Sequence, residues 1–424
     1  MKGKKGYFKI VVPICLMILL AAGLGAWKGR RPAKERGIEA MAESSQESLA
    51  EDSENSRKGQ EEESGRSDGK EEDEIADRTV QEGTGEKERG EVKVKGIYVT
   101  GPMAGSHAFQ DLLYLVDNTE LNTMVIDVKN DEGNITWKMD LESAQTIGAC
   151  TPYVQDIEKL MKEIRAHGIY TIARIVCFKD PYLAKGKPEL ALKKADGMPV
   201  TDANGIAWVN PYKEEVWKYL TDVAEAAAEA GFDEVQFDYV RFPIGRDAEE
   251  ADYGVDMEMY PKKQAISGFL DYAVSRLHQK GIVVTADVFG TIIGSETDVK
   301  QVGQDYAELG KCVDVLSPMV YPSHYGSHVF GLEVPDAEPY QTVLAAMEGS
   351  RKELAMIPEK DRAIVRPWLQ AFTATWVKGH ISYGGRQIRQ QIQAVYDAGY
   401  EEWILWNAVN RYPQEGLEAE TGNS

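Results

Sequence analysis

The chain has 424 residues and a formal net charge of −21, with 48 Lys and Arg against 69 Asp and Glu. This length is enough for one large domain or for two or three of ordinary size. The acidic balance argues against nucleic acid as a partner, because phosphate binding needs clustered Lys and Arg. The four cysteines are far apart and form no C-x-x-C pair, so they predict neither a disulfide framework nor a zinc site.

The first 30 residues predict a membrane segment. Four lysines among the first nine residues precede an uncharged run at 10–27, which is roughly long enough to cross a bilayer. The basic flank is expected to stay in the cytoplasm. The alternative is a signal peptide cleaved near Ala26. Because Lys28, Arg30 and Arg31 follow the run directly, the sequence favours an anchor through residues 8–27, with the remaining chain outside the cytoplasm.

Residues 31–92 form the second part of the chain. No aromatic residue occurs between Trp27 and Tyr98, and Glu, Ser, Gly and Lys dominate. Such a composition cannot bury enough apolar surface to offset the entropy lost on ordering. We therefore predict a disordered acidic linker that repels itself and extends.

Residues 93–413 alternate between helix-period and strand-like segments. A helix pattern from Val154 to Ile164 ends at Gly168, and an apolar strand pattern follows at 170–178. The same glycine step recurs at positions 231, 281, 310 and 399, where the residue after a helix often needs a positive φ. Strands that alternate with helices predict βαβ units and a parallel sheet.

Eight candidate strands in this region fit a (β/α)₈ barrel, an α/β fold of the TIM type. The rival is an open doubly wound sheet, which is weakened because no Gly-rich phosphate loop follows the first strand. Residues 414–424 are predicted to be a disordered tail. The predicted strands are 95–101, 123–129, 170–178, 234–242, 282–289, 313–321, 363–370 and 403–407.

Polar and aromatic residues of one parity cluster toward the ends of these strands. The active site of such a barrel lies at the C-terminal ends of its strands, and alternate residues point inward. Several coincident positions therefore predict one lined pocket. Its members are Tyr98, Asp127, Arg174, Gln236, Asp238, Asp287, Tyr321, His324, Trp368, Gln370 and Trp406.

The carboxylates differ in how strongly they indicate function. Asp238 lies within a Phe/Val/Tyr-rich strand, where a carboxylate is costly to bury unless it is paired or working. For Asp127, a structural ion pair with Lys129 or Arg174 is as well supported as a functional role. Glu234, at the start of the same strand as Asp238, is predicted to be solvated.

Carboxylates on separate strands together with Trp and Tyr are typical of sugar chemistry. Glycoside hydrolysis uses two carboxyl groups that face the scissile bond. Aromatic faces stack on pyranose rings, while Arg, His and Gln bond the hydroxyls; core packing is the alternative for each tryptophan. The predicted sugar-binding residues are Tyr98, Arg174, Gln236, Arg241, Tyr321, His324, Trp368, Gln370 and Trp406.

Four segments, 94–100, 125–130, 232–243 and 316–322, resemble a bacterial family of glycoside hydrolase barrels of unknown specificity, related to the α-amylase and α-galactosidase type barrels. The most specific motif is F-D-Y-V-R-F-P at 237–243. The resemblance implies an Asp nucleophile or charge stabiliser at the end of strand four, which Asp238 matches, with Gln236 where the amylase-like pattern has Arg. It implies an acid/base residue at the end of strand five, where this chain has Asp287; galactosidase-type relatives place it on strand six.

The sequence therefore predicts a glycoside hydrolase without cofactor or metal that cleaves a cell-surface or exported polysaccharide. Asp238 and Asp287 are the predicted catalytic pair and Asp127 is the reserve. A non-catalytic carbohydrate-binding barrel is the alternative. A metal-assisted hydrolase or lyase using the three aspartates and His324 is a third reading, weakened because no H-x-H pair is present.

Three long segments, 179–212, 244–262 and 322–361, follow predicted strand ends. They are expected to wall a groove for an extended substrate, or else to be tolerated surface insertions.

Overall fold

A closed barrel forms the centre of the protein in the computed structural model, which describes residues 92–419. The eight barrel strands are parallel to one another, and the first pairs with both the second and the last, so the barrel is closed. The predicted (β/α)₈ fold is confirmed. The strands are β1 (Lys95–Val99), β2 (Thr123–Lys129), β3 (Tyr170–Val176), β4 (Glu234–Asp238), β5 (Val283–Phe289), β6 (Val315–Met319), β7 (Ile364–Val365 and Trp368–Gln370) and β8 (Trp403–Trp406).

Helices cover the outside of the barrel. The main ones are α1 (Phe109–Asp117), α2 (Ile157–Ala166), α3 (Glu214–Ala230), α4 (Lys262–His278), α5 (Tyr306–Cys312), α6 (Pro339–Leu354) and α7 (Gly385–Asp397). Shorter helical pieces are Gly101–Ala104, Glu142–Thr146, Pro181–Gly186, Arg246–Glu249, Gly290–Ile292, Glu296–Val302, Pro322–His324, Val329–Gly331, Pro335–Ala337, Glu359–Asp361 and Gln414–Gly416. Four short strands lie outside the barrel, at Ile135–Trp137, Cys150–Val154, Lys193–Lys194 and Ala251–Asp252.

Glycine ends several of these helices in the predicted way. At the end of α3, Gly231 has φ +102°, a conformation that side chains rarely adopt. Gly310 is different, because it lies inside α5 with no positive φ. A Cβ there would lie 2.7 Å from the side chain of Leu354, so this glycine allows α5 and α6 to approach closely.

Two strands differ from their predicted extents for local reasons. β4 ends at Asp238 instead of residue 242, because the next residue, Tyr239, has φ +49° and turns the chain. β7 is interrupted before Trp368 by Pro367, which has no backbone N–H to give to a neighbouring strand.

A buried cluster of ion pairs lies at the base of the barrel, the end where its strands begin. Glu234 was predicted to be solvated, yet it is fully buried and accepts a hydrogen bond of 2.6 Å from Arg366 Nη1. Arg366 Nε also donates to Glu402 at 2.8 Å. The prediction was wrong because the partners of Glu234 come from β7 and from the residue that precedes β8, far away in the sequence.

The long segments after β3 and β4 form one small lobe. Lys193–Lys194 pairs antiparallel with Ala251–Asp252, and Lys194 forms an ion pair of 3.4 Å with Asp247. Segment 322–361, in contrast, contains α6, an ordinary barrel helix, preceded by three short helical pieces and followed by one.

The predicted chain boundaries are tested only in part. The predicted membrane segment at 8–27 and most of the linker lie outside the described residues; within 92–419, no helix combines the length and apolarity needed to span a bilayer. Of the predicted tail at 414–424, residues 414–419 lie within the described part of the chain. Gly416 packs on Gly385 of α7, where a Cβ would lie 2.8 Å from the backbone, and Glu418 N donates to Glu120 at 3.0 Å.

Candidate active site

Arg174 of β3 is the centre of a cluster of carboxylates at the barrel mouth. It is 1% exposed and donates to Asp127 at 2.7 Å, to Asp131 at 3.0 Å and twice to Asp238, at 2.6 and 2.9 Å. One guanidinium thus serves three carboxylates. The cluster carries an excess of negative charge in a buried place, an arrangement that shifts proton affinities.

Strand register explains how these side chains meet. Arg174 lies opposite Asp127 on β2 and opposite Gln236 on β4, so all three share the inward parity that the sequence predicted. The register of β2 then shifts before Lys129, whose ammonium instead pairs with Asp180 at 3.1 Å. Of the two ion-pair partners considered for Asp127, the structure selects Arg174.

Asp238 is held by donors on both of its carboxylate oxygens. Oδ2 accepts both hydrogen bonds from Arg174, and Oδ1 accepts from the backbone N–H of Tyr239 at 2.6 Å. Tyr239 itself has a positive φ of +49°. These donors fix the orientation of the Asp238 carboxylate, and unusual backbone conformations such as that of Tyr239 cluster at functional sites.

Asp287 of β5 has a contrasting environment. Its Oδ1 accepts hydrogen bonds from Gln236 Nε2 and, at 2.7 Å, from Trp368 Nε1. Its Oδ2 is buried and has no hydrogen-bond partner among the described residues. Burial, and then the nearby charge of Asp238, raise the pKa of Asp287 well above its usual value. These surroundings therefore favour the protonated form of Asp287.

Asp127 and Asp131 also differ from each other. Burial raises the pKa of Asp127 to about 6, although Arg174 opposes this and Tyr98 Oη donates to it at 2.6 Å. Burial also acts on Asp131, but the charges of Arg174 and Lys179 outweigh it and lower the pKa to about 2. The mouth therefore combines carboxyl groups that hold protons with carboxylates that do not.

The two tryptophans at the mouth have different roles. Trp406 stacks on Tyr98 with ring centroids 4.0 Å apart, remains partly exposed, and lies under the guanidinium of Arg174 at 5.1 Å. Trp368 is buried and orients Asp287 through its N–H. Only Trp406 offers a surface to a sugar ring.

A cavity of about 300 Å³ opens beside the cluster. It lies beyond the C-terminal ends of β1, β2 and β8, where barrels of this type carry their sites. A larger hollow of about 740 Å³ lies at the opposite end, around Lys95, Asn122 and Tyr170, and contains none of the predicted site residues. The lining of the smaller cavity includes Tyr98, Asp127, Asn130, Asp131, Glu132, Tyr153, Lys179, Asn204, Tyr239 and Trp406.

Asp131, Glu132 and Lys179 line this cavity but were not among the predicted residues. Asn130 Nδ2 donates to Glu132 at 2.7 Å, and burial together with the charge of Asp131 raises the pKa of Glu132. A signal was present in the sequence, because the polar run 130–134 directly follows β2, at the end where sites form.

Two of the predicted sugar-binding residues use their side-chain amides in hydrogen bonds within the protein. Gln370 accepts from Ser323 N at 3.0 Å and donates to Asp336 at 2.9 Å, so its amide fixes loops. Gln236 is fully buried and donates to Asp287. Both residues support the site without facing the cavity.

Tyr321 and His324 lie on the β6 side of the mouth, with ring centroids 4.8 Å apart in an edge arrangement. Burial raises the pKa of Tyr321, as do the charges of Asp287 and Asp238. Burial lowers the pKa of His324 to about 3, which keeps its ring neutral. Arg241 lies beyond Asp238, among aromatic rings.

The donor set at the mouth does not resemble a metal centre. Within residues 92–419, no group of three or more His, Cys, Asp or Glu side chains is arranged to hold a metal ion. The three carboxylates that come together surround Arg174 instead.

Comparison with known proteins gives a family match over most of the chain. Residues 96–412 match the model of the family described as "Putative glycosyl hydrolase domain" (DUF4015). A search among curated proteins found no match.

Solved structures give further similarities. The chain is similar to the PgaB (BpsB) glycoside hydrolase domain from Bordetella bronchiseptica, with 12% identity over 77% of this chain and 99% of that one, and a TM-score of 0.54. At this identity the likeness concerns the fold alone. A hypothetical protein from Ruminiclostridium thermocellum is 36% identical over 45% of this chain and 97% of its own, with a TM-score of 0.41. The beta-amylase catalytic domain from Paenibacillus polymyxa is 13% identical over 77% of this chain and 95% of its own, with a TM-score of 0.48.

Proposed function

The chain belongs to this glycosyl hydrolase domain family and is a glycoside hydrolase, and we propose that Asp238 and Asp287 are its catalytic pair. One observation carries the assignment. Neighbouring strands hold an Asp paired with Arg174 at 2.6 Å and an Asp whose pKa is raised well above its usual value. Two carboxyl groups with such different surroundings are suited to opposite roles in sugar hydrolysis.

In the proposed reaction, Asp287 gives its proton to the glycosidic oxygen as the bond to the leaving sugar breaks. Asp238 stabilises the positive charge that develops on the sugar ring, or bonds to it as nucleophile. Water completes the cleavage, and its proton returns to Asp287 in a retaining reaction. A carboxyl separation of roughly 5–5.5 Å favours retention and roughly 6.5–9.5 Å favours inversion.

Asp127 is the reserve acid in this proposal. It lines the cavity, and its pKa of about 6 allows it to exchange a proton near neutral pH. Asp287, in contrast, is only 1% exposed. Substrate must therefore displace the side chains around Asp287, or Asp127 must take over the proton transfer.

The proposed substrate is a cell-surface or exported polysaccharide. Support for a carbohydrate comes from the partly exposed ring of Trp406, which stacks on Tyr98 and lines the cavity. Support for a location outside the cytoplasm comes from the basic flank and apolar run at 10–27. Protease treatment of intact cells tests the location, because only an outward-facing barrel is degraded.

The test of activity is a screen of the full-length protein against surface polysaccharides with detection of new reducing ends. We expect release by the wild type and none by Asp238→Asn or Asp287→Asn, each checked for an unchanged circular dichroism spectrum. If Asp287→Asn is fully active while Asp127→Asn is dead, the acid is Asp127. Full activity in a folded Asp238→Asn protein contradicts the proposal.

A non-catalytic carbohydrate-binding barrel is the competing function. The observation that favours it is the deep burial of Asp287, because the proposed proton donor on β5 then has no direct contact with the cavity. Glycan-array binding without product release from any bound glycan supports the binding protein.

A further inference from the structure

Arg241 is an exception among the buried arginines of this protein. Within residues 92–419, Arg174, Arg241 and Arg366 are buried, at 1%, 8% and 3% exposure. Arg174 and Arg366 donate to carboxylates on two or more sides. Arg241 makes a single hydrogen bond, of 3.0 Å to the carbonyl of Phe242, and no carboxylate of the described chain lies within 4 Å of it.

Aromatic rings surround this guanidinium in place of acceptors. Its centre lies 4.9 Å from the ring centroid of Trp208, 5.1 Å from that of Tyr239 and 4.6 Å from that of Phe289. Cation–π contacts hold the charge in place but accept few of its five N–H groups. Burial of an unpaired charge is costly and here lowers the pKa of Arg241. The protein bears this cost without gaining an ion pair.

Lys179 is a second cation without hydrogen-bonded acceptors, and it faces the same ring. It is 4% exposed, lines the cavity, and lies 4.8 Å from the ring centroid of Tyr239. Its nearest carboxylate contacts are 3.6 Å to Asp202 and 3.9 Å to Asp131, longer than a hydrogen bond. The two cationic heads, on Lys179 and Arg241, therefore lie within about 10 Å of each other.

The neighbouring carboxylates are already engaged by other donors. Asp131 accepts from Arg174 at 3.0 Å, and Asp202 accepts from the backbone N–H groups of Asn204 and Ile206 at 3.0 Å. Acidic residues are abundant in a chain of net charge −21. The absence of an internal acid beside Arg241 therefore does not reflect a shortage of acids.

We propose that Arg241, assisted by Lys179, binds an anionic substituent of the substrate, so that the protein acts on an acidic glycan. The inference rests on the proposed function and adds the substrate class. A guanidinium with free N–H groups suits the two oxygens of a carboxylate or phosphate. Arg241 contacts the ring of Tyr239, and Tyr239 and Lys179 line the cavity, so the anion would be held at the edge of that cavity. A uronic acid carboxylate and a sugar phosphate share this chemistry.

The first test measures binding to the full-length protein by calorimetry, with glucuronate, glucose 6-phosphate and neutral glucose as probes. We expect at least one anionic sugar to bind about tenfold or more tightly than glucose, the value of one charge-assisted hydrogen bond. The stronger of the two identifies the source of the anion as carboxylate or phosphate. Equal affinity for all three sugars, or no binding of either anion, overturns the proposal.

The second test separates recognition from a structural role of Arg241. Arg241→Met keeps the apolar stem among the rings and should abolish the preference for the anion, while Arg241→Lys should retain part of it. The melting temperature of Arg241→Met should stay the same or rise, since an unpaired buried charge is removed. The matched control is Arg276→Met, on the outer face of α4, which should keep the full preference.

A lower melting temperature of Arg241→Met with an unchanged preference for the anion would show a structural role and end the proposal. Because the readout is binding, the proposed hydrolysis can fail separately. A preference for the anion without cleavage of any glycan supports the anion site and contradicts the proposed hydrolysis. Cleavage of neutral glycans without any preference for the anion supports the hydrolysis and contradicts the anion site.

Discussion

Two arginine–carboxylate clusters lie within the same barrel, one near its base and one at its mouth. At the base, Arg366 joins Glu234 and Glu402, and each of the three is at most 3% exposed. At the mouth, Arg174 joins three carboxylates beside an open cavity. The base cluster closes the barrel interior, whereas the mouth cluster faces the space where a substrate can bind.

The difference lies in how protons are held. At the base, the charges of Glu234 and Glu402 overcome burial and raise the pKa of Arg366, so this guanidinium stays charged. At the mouth, Asp127 has a pKa of about 6 and that of Asp287 is raised well above its usual value. Buried charge alone therefore does not mark a catalytic site; titration beside a cavity distinguishes the functional cluster.

The largest expected effect compares one carboxyl-to-amide change in each cluster. Asp238→Asn should reduce kcat by about a thousandfold or more, because it removes the anion that stabilises the transition state. Glu234→Gln should leave the kcat of the folded protein unchanged. Reducing-end assays on the glycan found by the screen, corrected for the folded fraction, measure both. Equal losses in the two variants would remove the distinction between the clusters.

The second effect concerns stability. Arg366→Met leaves Glu234 and Glu402 buried without a counter-charge and should lower the free energy of unfolding by about 3–5 kcal/mol. Urea unfolding of the full-length protein measures the change. Arg276→Met, which breaks a partly exposed ion pair on α4, is the control and should cost about 1 kcal/mol or less. A loss for Arg366→Met as small as the control's contradicts a structural role of the base cluster.

The third effect is a pH dependence at the mouth. The pKa of Asp127 rises from 3.8 to about 6 on folding, so the folded protein binds more protons between these values and loses stability as the pH rises through them. This shift corresponds to about 3 kcal/mol. Asp127→Asn should therefore gain stability relative to wild type between pH 4 and about pH 7. Unfolding curves across this range that stay parallel for the two proteins count against the raised pKa.

The smallest effect isolates one hydrogen bond. Tyr98→Phe keeps the stack on Trp406 but removes the hydroxyl that donates to Asp127. Because that bond favours the ionised carboxylate, the pKa of Asp127 should rise further. The expected rise corresponds to the loss of one hydrogen bond, about 1 kcal/mol. The midpoint of the pH–stability curve should move upward. Tyr321→Phe, which lacks a bond to Asp127, is the matched control and should leave this midpoint in place.

Much of the fold could be predicted because its signals are local. Glycine steps such as Gly231 and the alternation of apolar segments indicated eight strands, and the period of two in each strand placed Asp127, Arg174 and Asp238 on one inward face. The end of β4 was missed because a single residue, Tyr239, adopts a positive φ that the sequence pattern does not reveal.

The sequence by itself determined the barrel and the residues that share its inward face, Asp238 among them. The tertiary structure decided which charges meet: Glu234 finds Arg366 across 132 positions, and Arg174 is shared among carboxylates from different elements. It also decided that Arg241 has no acid beside it. The reason is physical, because the proton affinity and pairing of a charge depend on its burial and on partners distant in the chain, and neither exists until the barrel closes.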